Sequence, residues 1–307
     1  MRRARLSLLL ILAASQLAAQ PSGSGQTPTP GLSGRIVFDD FEDVYVADAS
    51  GGGATRLTTT PGPEFDAEWS PDGTRIVYRD STRGFNEDDE IHIMAADGSA
   101  QTDLTDHPAN DWGPTWSPDG SAIAFNSDRS GTMRLWVMDA DGSDVRQVDA
   151  DIWVEYPDWS PDGTRFACMC RPPGSTDYEV YVMDADGSDL TRLTTTPGHD
   201  GWPVWSPDGS LIAFSSKRDD CRFSDVPDCV TTGPDGPHSD VWVMRPDGSE
   251  QRRLTRTSGD FLAWAPDGSE VVFGSEDGLH AVSLDGHDRR IRIAGMIGDP
   301  TLLHWIP

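Results

Sequence analysis

The sequence predicts an all-β protein, a six-bladed β-propeller with four antiparallel strands in each blade. Three observations lead there. First, Trp-Ser-Pro-Asp-Gly stands at Trp69–Gly73, Trp116–Gly120, Trp159–Gly163 and Trp205–Gly209, with Trp-Ala-Pro-Asp-Gly at Trp264–Gly268. The intervals between these tryptophans are 47, 43, 46 and 59 residues, a period at which chains build stacked supersecondary units. Second, the segments between the pentapeptides are short, rich in Ile, Val, Phe, Tyr and Trp, and none reaches helix length. Third, the two ends of the array are complementary parts of one repeat.

Taken in chain order, residues 1–19 read as a secretory signal peptide. Arg2, Arg3 and Arg5 precede the apolar run Leu6–Leu12, and Ala18-Ala19 offers a small-residue cleavage site. The run is too short for a permanent membrane anchor. Residues 20–34 (QPSGSGQTPTPGLSG) form a flexible linker with no core-forming side chains. The propeller is expected over residues 35–307.

Within each repeat, a short inner segment ends in the tryptophan and turns through Ser-Pro-Asp-Gly. Pro presets the first central dihedral, Asp tolerates the second, and Gly supplies the left-handed position that closes a hairpin. A second strand follows: Arg75–Tyr78, Ala122–Phe125, Arg165–Cys168, Leu211–Phe214 and Glu270–Phe273. A third alternates with period two: Glu90–Met94, Arg134–Met138, Glu179–Met183 and Asp240–Met244. An Asp-Gly-Ser turn then leads into a short fourth segment such as Thr102–Thr105 or Thr191–Thr194.

The array opens on Arg35-Ile36-Val37-Phe38, which matches a second strand. Asp43–Asp48 and Thr55–Thr58 supply the third and fourth. It closes on Leu303-His304-Trp305, which matches a first strand with its tryptophan, 41 residues after Trp264. Joined, the two ends complete one blade and close a ring without exposed strand edges.

The formal net charge is −27; without the three leader arginines, 21 basic residues face 51 acidic ones, a charge of −30. Lys217 is the sole lysine. Such a chain repels nucleic acid and anionic lipid and attracts metal cations or basic peptides. Nucleic-acid binding and membrane insertion are therefore not expected, and a monomer is.

Of four cysteines, Cys221 and Cys229 share one loop and could close a disulfide in an oxidising compartment. Cys168 and Cys170, two apart on one strand, point to the same face, where a mutual bond is geometrically poor. Cys168 takes the place of Tyr78, Phe125 and Phe214 in other repeats and reads as a small core residue.

The repeat resembles the WD-like propeller repeat of the TolB family. That pattern runs Pro-x-Trp-Ser-Pro-Asp-Gly, an Ile-Ala-Phe-like strand, a Tyr-Val-Met-like strand, Asp-Gly, then Leu-Thr. Pro203-Val204-Trp205-Ser206-Pro207-Asp208-Gly209, Ile212-Ala213-Phe214, Val241–Met244, Asp247-Gly248 and Leu254-Thr255 give a nearly complete copy. The resemblance covers roughly Arg35–Pro307 and implies the fold rather than an activity. TolB itself is periplasmic and carries an α/β domain before its propeller, for which this chain has no room. Prolyl oligopeptidases have comparable propellers with an added hydrolase domain, also absent here.

No Gly-x-Ser-x-Gly, His-Glu-x-x-His, Gly-x-Gly-x-x-Gly or phosphate-loop pattern occurs. Asp139-x-Asp141-Gly142 and Asp184-x-Asp186-Gly187 begin like calcium loops but lack the distal glutamate, and hairpin turns explain them. Strand direction places every Ser-Pro-Asp-Gly and Asp-Gly-Ser turn on one face of the ring. The variable loops lie on the other, where function usually sits. That face holds the insertion Lys217–Ser239, either a recognition loop or a neutral insertion pinned by a disulfide.

Each blade also carries a carboxylate four to six residues before its tryptophan: Glu64, Asp111, Glu155, Asp200, Asp260 and Asp299. They form a candidate ring at the channel mouth for calcium, manganese or a basic ligand. Alternatively they accept backbone hydrogen bonds from the entry loops and order them. Trp112, Trp153, Tyr156 and Trp202 lie beside them, suited either to ligand contact or to packing between blades. The expected function is a secreted or periplasmic non-enzymatic propeller that binds a protein or peptide through the variable-loop face and channel mouth. The alternative is a metal-dependent polysaccharide lyase or hydrolase at the same mouth, with His107, His199 and His238 as candidate ligands.

Overall fold

The computed structural model describes residues 34–40, 42–49, 53–82, 88–148, 152–218, 239–256, 259–275, 278–291 and 303–306. The expected signal peptide and linker, Asp299, Cys221, Cys229, His238 and residues 219–238 of the insertion lie outside them. Among the described residues there is no helix. The strands form six four-stranded antiparallel sheets, each a blade. Among the described residues, accordingly, no helix is long and apolar enough to cross a membrane.

Blade one is assembled from both ends of the chain. Leu303–Ile306 lies inside Arg35–Asp39, with Arg35 opposite Ile306 and Phe38 opposite Leu303, followed outward by Val44–Asp48 and Thr55–Arg56. The other blades begin with the inner strands Glu64–Trp69, Asp111–Trp116, Trp153–Trp159, Asp200–Trp205 and Asp260–Trp264. They are numbered two to six in that order.

Blades bury each other. The sheet face of blade four (Ala167, Val180, Val182, Leu193) packs on Trp205, Ile212, Phe214 and Met244 of blade five. The repeat tryptophans sit in these seams, and all but Trp159 are buried. Three of them lie under an arginine from the preceding blade: Arg35 over Trp69 at 4.3 Å, Arg75 over Trp116 at 4.6 Å and Arg165 over Trp205 at 4.9 Å. Each such stack adds cation–π attraction to apolar burial. Cys168 and Cys170 are free, buried in the seam between blades three and four, with their sulfurs 3.1 Å apart.

The pentapeptide makes the expected hairpin. In blade two the Gly73 N–H donates to Ser70 C=O at 2.8 Å, with Gly73 at φ 65°. Asp72 accepts from the Ser70 hydroxyl at 2.6 Å and from Thr74 N–H at 3.0 Å. These donors hold the Asp72 carboxyl down at about 2. The fourth strands are shorter than expected, Thr102–Asp103 rather than Thr102–Thr105. The next ladder position is taken by a side chain, because the Thr105 hydroxyl accepts Ile91 N–H at 3.0 Å. Thr58 and Thr194 do the same for Val44 and Val180, both at 2.9 Å.

One feature was not expected. Every inner strand from blade two to blade six carries a β-bulge three residues before its tryptophan. The bulged residues Asp66, Gly113, Tyr156, Trp202 and Phe261 all have positive φ, between 47° and 59°. A bulge turns a side chain out of the alternating register, here toward the channel. For Tyr, Trp and Phe this backbone region costs on the order of 1–3 kcal/mol each.

Candidate functional site: the axial cavity

The inner strands enclose a cavity of about 420 Å³ on the ring axis. Its lining follows the repeat. Bulged residues Tyr156, Trp202 and Phe261 close it toward the variable loops. The residues preceding the tryptophans, Glu68, Thr115, Asp158 and His304, form its wall. The turn prolines Pro71, Pro118, Pro161, Pro207 and Pro266 form its rim. The cavity therefore lies at the Ser-Pro-Asp-Gly end of the channel. The sequence reading had directed attention to the opposite face.

The aromatic closure is continuous. Trp112 and Tyr156 meet edge to face at 5.5 Å, as do Trp202 and Phe261 at 5.6 Å, and Tyr156 and Trp202 join them tilted at 6.1 Å. Beside this arc Asp66 accepts Gly113 N–H at 3.2 Å, with Arg79 at 3.9 Å. A Cβ on Gly113 would stand 3.2 Å from the buried Asn126 oxygen, in a backbone region that glycine favours. Asn126 itself bridges to blade four, donating to Val154 C=O at 2.8 Å and accepting Tyr156 N–H at 2.9 Å.

Below the arc, three wall residues each reach the next blade. Glu68 accepts Trp116 N–H at 2.9 Å, Asp158 accepts Trp205 N–H at 2.6 Å, and His304 Nδ1 accepts Trp69 N–H at 3.1 Å. Burial pushes Glu68 up to about 8, helped by the charge of Asp158, and pushes Asp158 up to about 7. It lowers His304 to about 4, so the ring is neutral near pH 7 with its proton on Nε2. Both carboxylates keep some solvent exposure although protein surrounds them. That exposure is to the cavity.

The carboxylates singled out from the sequence occupy the other end. Asp111 pairs with Arg129 at 2.5 Å and Asp200 with Arg218 at 2.7 Å. Glu155 accepts from the Tyr178 hydroxyl at 2.9 Å and from Trp153 Nε1. Glu64 accepts from the Thr60 hydroxyl, and Asp260 from the Ser215 hydroxyl. One oxygen each of Glu64, Asp111 and Asp200 is buried without a hydrogen-bond partner. Burial is the leading cause raising Glu64 to about 8 and Asp111 to about 6, and it also raises Glu155 and Asp200. The charges acting on these four come from neighbours such as Asp80, Arg129, Arg171 and Arg218 rather than from one another. The partners that hold these acids are side chains, where entry-loop backbone donors were expected.

Of the candidate histidines, His107 and His199 are described, and each has partners in the loops. His107 accepts Ala109 N–H at 3.1 Å while its own N–H donates to Glu90, and His199 lies 3.6 Å from Asp177. Among the described residues, the metal-type side chains close enough to share one ion are Glu90, Asp103 and Asp106, without a histidine. Trp112 donates to the Met133 sulfur at 3.0 Å and so belongs to the packed arc. Sequence reasoning missed Asp66, Glu68, Asp158, Phe261 and His304. The signal was present as fixed offsets of three and one residues before each tryptophan.

A six-bladed ring with repeat tryptophans in its seams, Pro-Asp-Gly hairpins on one face and an axial cavity is a β-propeller. Among propellers it is similar to those of TolB. The TolB beta propeller domain model matches residues 81–154 and 149–221. TolB from Acinetobacter baumannii superposes with a TM-score of 0.69 at 20% identity, over 90% of this chain and 67% of that one. An uncharacterized protein from Agrobacterium fabrum is 35% identical over 150 residues, 48% of this chain; the match spans 44% of that protein's length. An oligogalacturonate lyase in complex with manganese shares the fold more loosely, with a TM-score of 0.52 at 18% identity over 84% of this chain and 73% of that one.

Proposed function

We propose that this is a non-enzymatic interaction propeller of the periplasm or cell exterior that binds a protein or peptide at the turn end of its channel. The observation that carries the reading is the cavity itself, preformed, aromatic and rimmed by five prolines. Concave apolar sites with a few convergent polar groups are the usual form of a binding site. The strained backbone at Tyr156, Trp202 and Phe261 holds the closing rings in place, and strain of this kind gathers at functional sites. The TolB likeness supports a protein partner, and the leader-like residues 1–19 support export. The lyase reading is the weaker one, because His107 is engaged by Glu90 and Ala109 and His199 by Asp177 and Tyr178.

The test is capture from a native envelope extract by three forms of the chain: the unaltered protein, a Pro161→Trp/Pro207→Trp variant that plugs the rim, and a deletion of residues 219–238. A partner retained by the first and third but lost by the second supports this reading. Loss only with the deletion would return the contact to the variable-loop face. Absence of any partner sensitive to either change refutes a binding role for both faces.

A further inference from the structure

We propose that the cavity is a socket for the ammonium end of a lysine side chain presented by the partner protein. The inference rests on the protein-binding reading above and names the chemistry of the contact.

Glu68 and Asp158 stand in the wall on blades two and four. Each gives an oxygen to a backbone N–H, the Thr115 hydroxyl is a second donor to Glu68, and neither has an arginine, lysine or histidine partner among the described residues. The charge acting on Glu68 is that of Asp158, which is repulsive. Two desolvated carboxylates without a countercharge are costly to keep. Elsewhere the chain supplies the countercharge itself, as Arg129 does for Asp111 and Arg218 for Asp200. At the cavity the structure leaves it to come from outside, and a chain of net charge −27 favours a cationic visitor.

The lining selects among cations. Proline and tryptophan rings offer apolar surface to an unbranched alkyl stem. A guanidinium is bound best by a carboxylate with both oxygens free for its fork. Here one oxygen of each carboxylate is committed to Trp116 or Trp205, and Thr115 also donates to Glu68. An ammonium carries three donors that rotate to suit and needs only a single oxygen from a carboxylate. A metal ion fits less well, since Glu68, Asp158 and His304 do not come close enough together to chelate one. The aromatic floor of Tyr156, Trp202 and Phe261 adds cation–π attraction.

The groups facing the bound ammonium would be Glu68, Asp158, the neutral His304, and the Asp66–Arg79 pair beside the floor. Because burial holds Glu68 near 8 and Asp158 near 7, binding draws protons from both. Affinity then rises with pH between about 6 and 8.5, below the lysine value of about 10.4.

The experiment is calorimetric titration of the full chain with Nα-acetyl-lysine methylamide, its arginine analogue and the neutral norleucine analogue. The lysine compound is expected to bind about ten-fold or more tightly than norleucine, the gain of one charge-assisted hydrogen bond. Glu68→Gln and Asp158→Asn should each weaken it about five-fold or more, with the fold retained because the amide oxygen still accepts the Trp116 or Trp205 N–H. Melting curves check that point. Equal binding of lysine and norleucine, tighter binding of arginine, undiminished lysine binding by the double variant, or no saturation up to about 10 mM would each overturn the proposal. A partner captured through the rim yet indifferent to both substitutions would sink the lysine socket and leave the protein-binding reading standing. Lysine binding with no rim-dependent partner would do the reverse.

Discussion

The two ends of the channel are built from the same kinds of residue and behave differently. At the variable-loop end Asp111 and Asp200 are fully buried and face arginines of their own blades, and Glu155 faces a tyrosine and a tryptophan. At the turn end Glu68 and Asp158 have uncharged donors, the Trp116 and Trp205 N–H groups and for Glu68 the Thr115 hydroxyl, and an open cavity. The lesson is that a count of acids does not locate a site. A carboxylate answered by a cation from its own blade is part of the scaffold. One answered only by uncharged donors keeps charge capacity for a visitor.

The most damaging way to break this contrast is to remove a built-in countercharge. Arg218→Ala leaves Asp200 buried and unpaired, which should cost about 3–5 kcal/mol. The loss, read as a fall in thermal midpoint, should be larger at pH 8 than at pH 5, where protonation relieves Asp200. An unchanged midpoint would mean that the loop-end pairs are not structural.

A smaller effect of opposite sign is expected at the turn end. Glu68 and Asp158 have folded values raised above their unfolded ones, so the folded state holds more protons and stability falls as pH rises from about 4 to about 8. Glu68→Gln and Asp158→Asn should flatten that fall, each adding roughly 1–2 kcal/mol at pH 8 after allowance for solvent in the cavity. Melting curves across the pH range read this directly, and a destabilised variant at pH 8 would contradict it.

The smallest effect belongs to the rim. Ser160, Thr164 and their backbone hold the exposed Asp162 down at about 2. A depressed carboxylate stabilises above its unfolded value, and that contribution is lost as pH falls from about 4 to about 2. Asp162→Ala should therefore lower the midpoint slightly at pH 7 and not at pH 2. The opposite ordering would show that the turn acid does not brace the rim.

The ring was legible in the sequence because its determinants are local and repeated. Trp305, standing without a following turn, already implied that Leu303–Ile306 completes the blade opened at Arg35. The closing arc was half legible: Tyr156 and Trp202 stood out as aromatics, whereas Phe261 and Asp66 did not. Their common property is a bulge that turns the third residue before the tryptophan into the channel, and alternation alone does not announce a bulge. The cavity end was illegible for a related reason. Glu68, Asp158 and His304 share a position but not a residue type, so no motif marks them. What joins them is that each reaches a backbone N–H on the next blade, a relation between strands far apart in sequence. The acids at Glu64, Asp111, Glu155, Asp200 and Asp260 were conspicuous because they share both position and charge. That regularity reflects a repeated task inside each blade.

Blade one has a further consequence. Arg35 pairs with Ile306, yet no Ser-Pro-Asp-Gly hairpin joins their strands. Among the described residues, hairpin turns tie the first two strands of five blades, whereas in blade one those strands are held by ladder hydrogen bonds alone. Strands so far apart in the chain can separate completely when their ladder opens, while a hairpin keeps its strands together, so blade one is the seam at which the ring would open first.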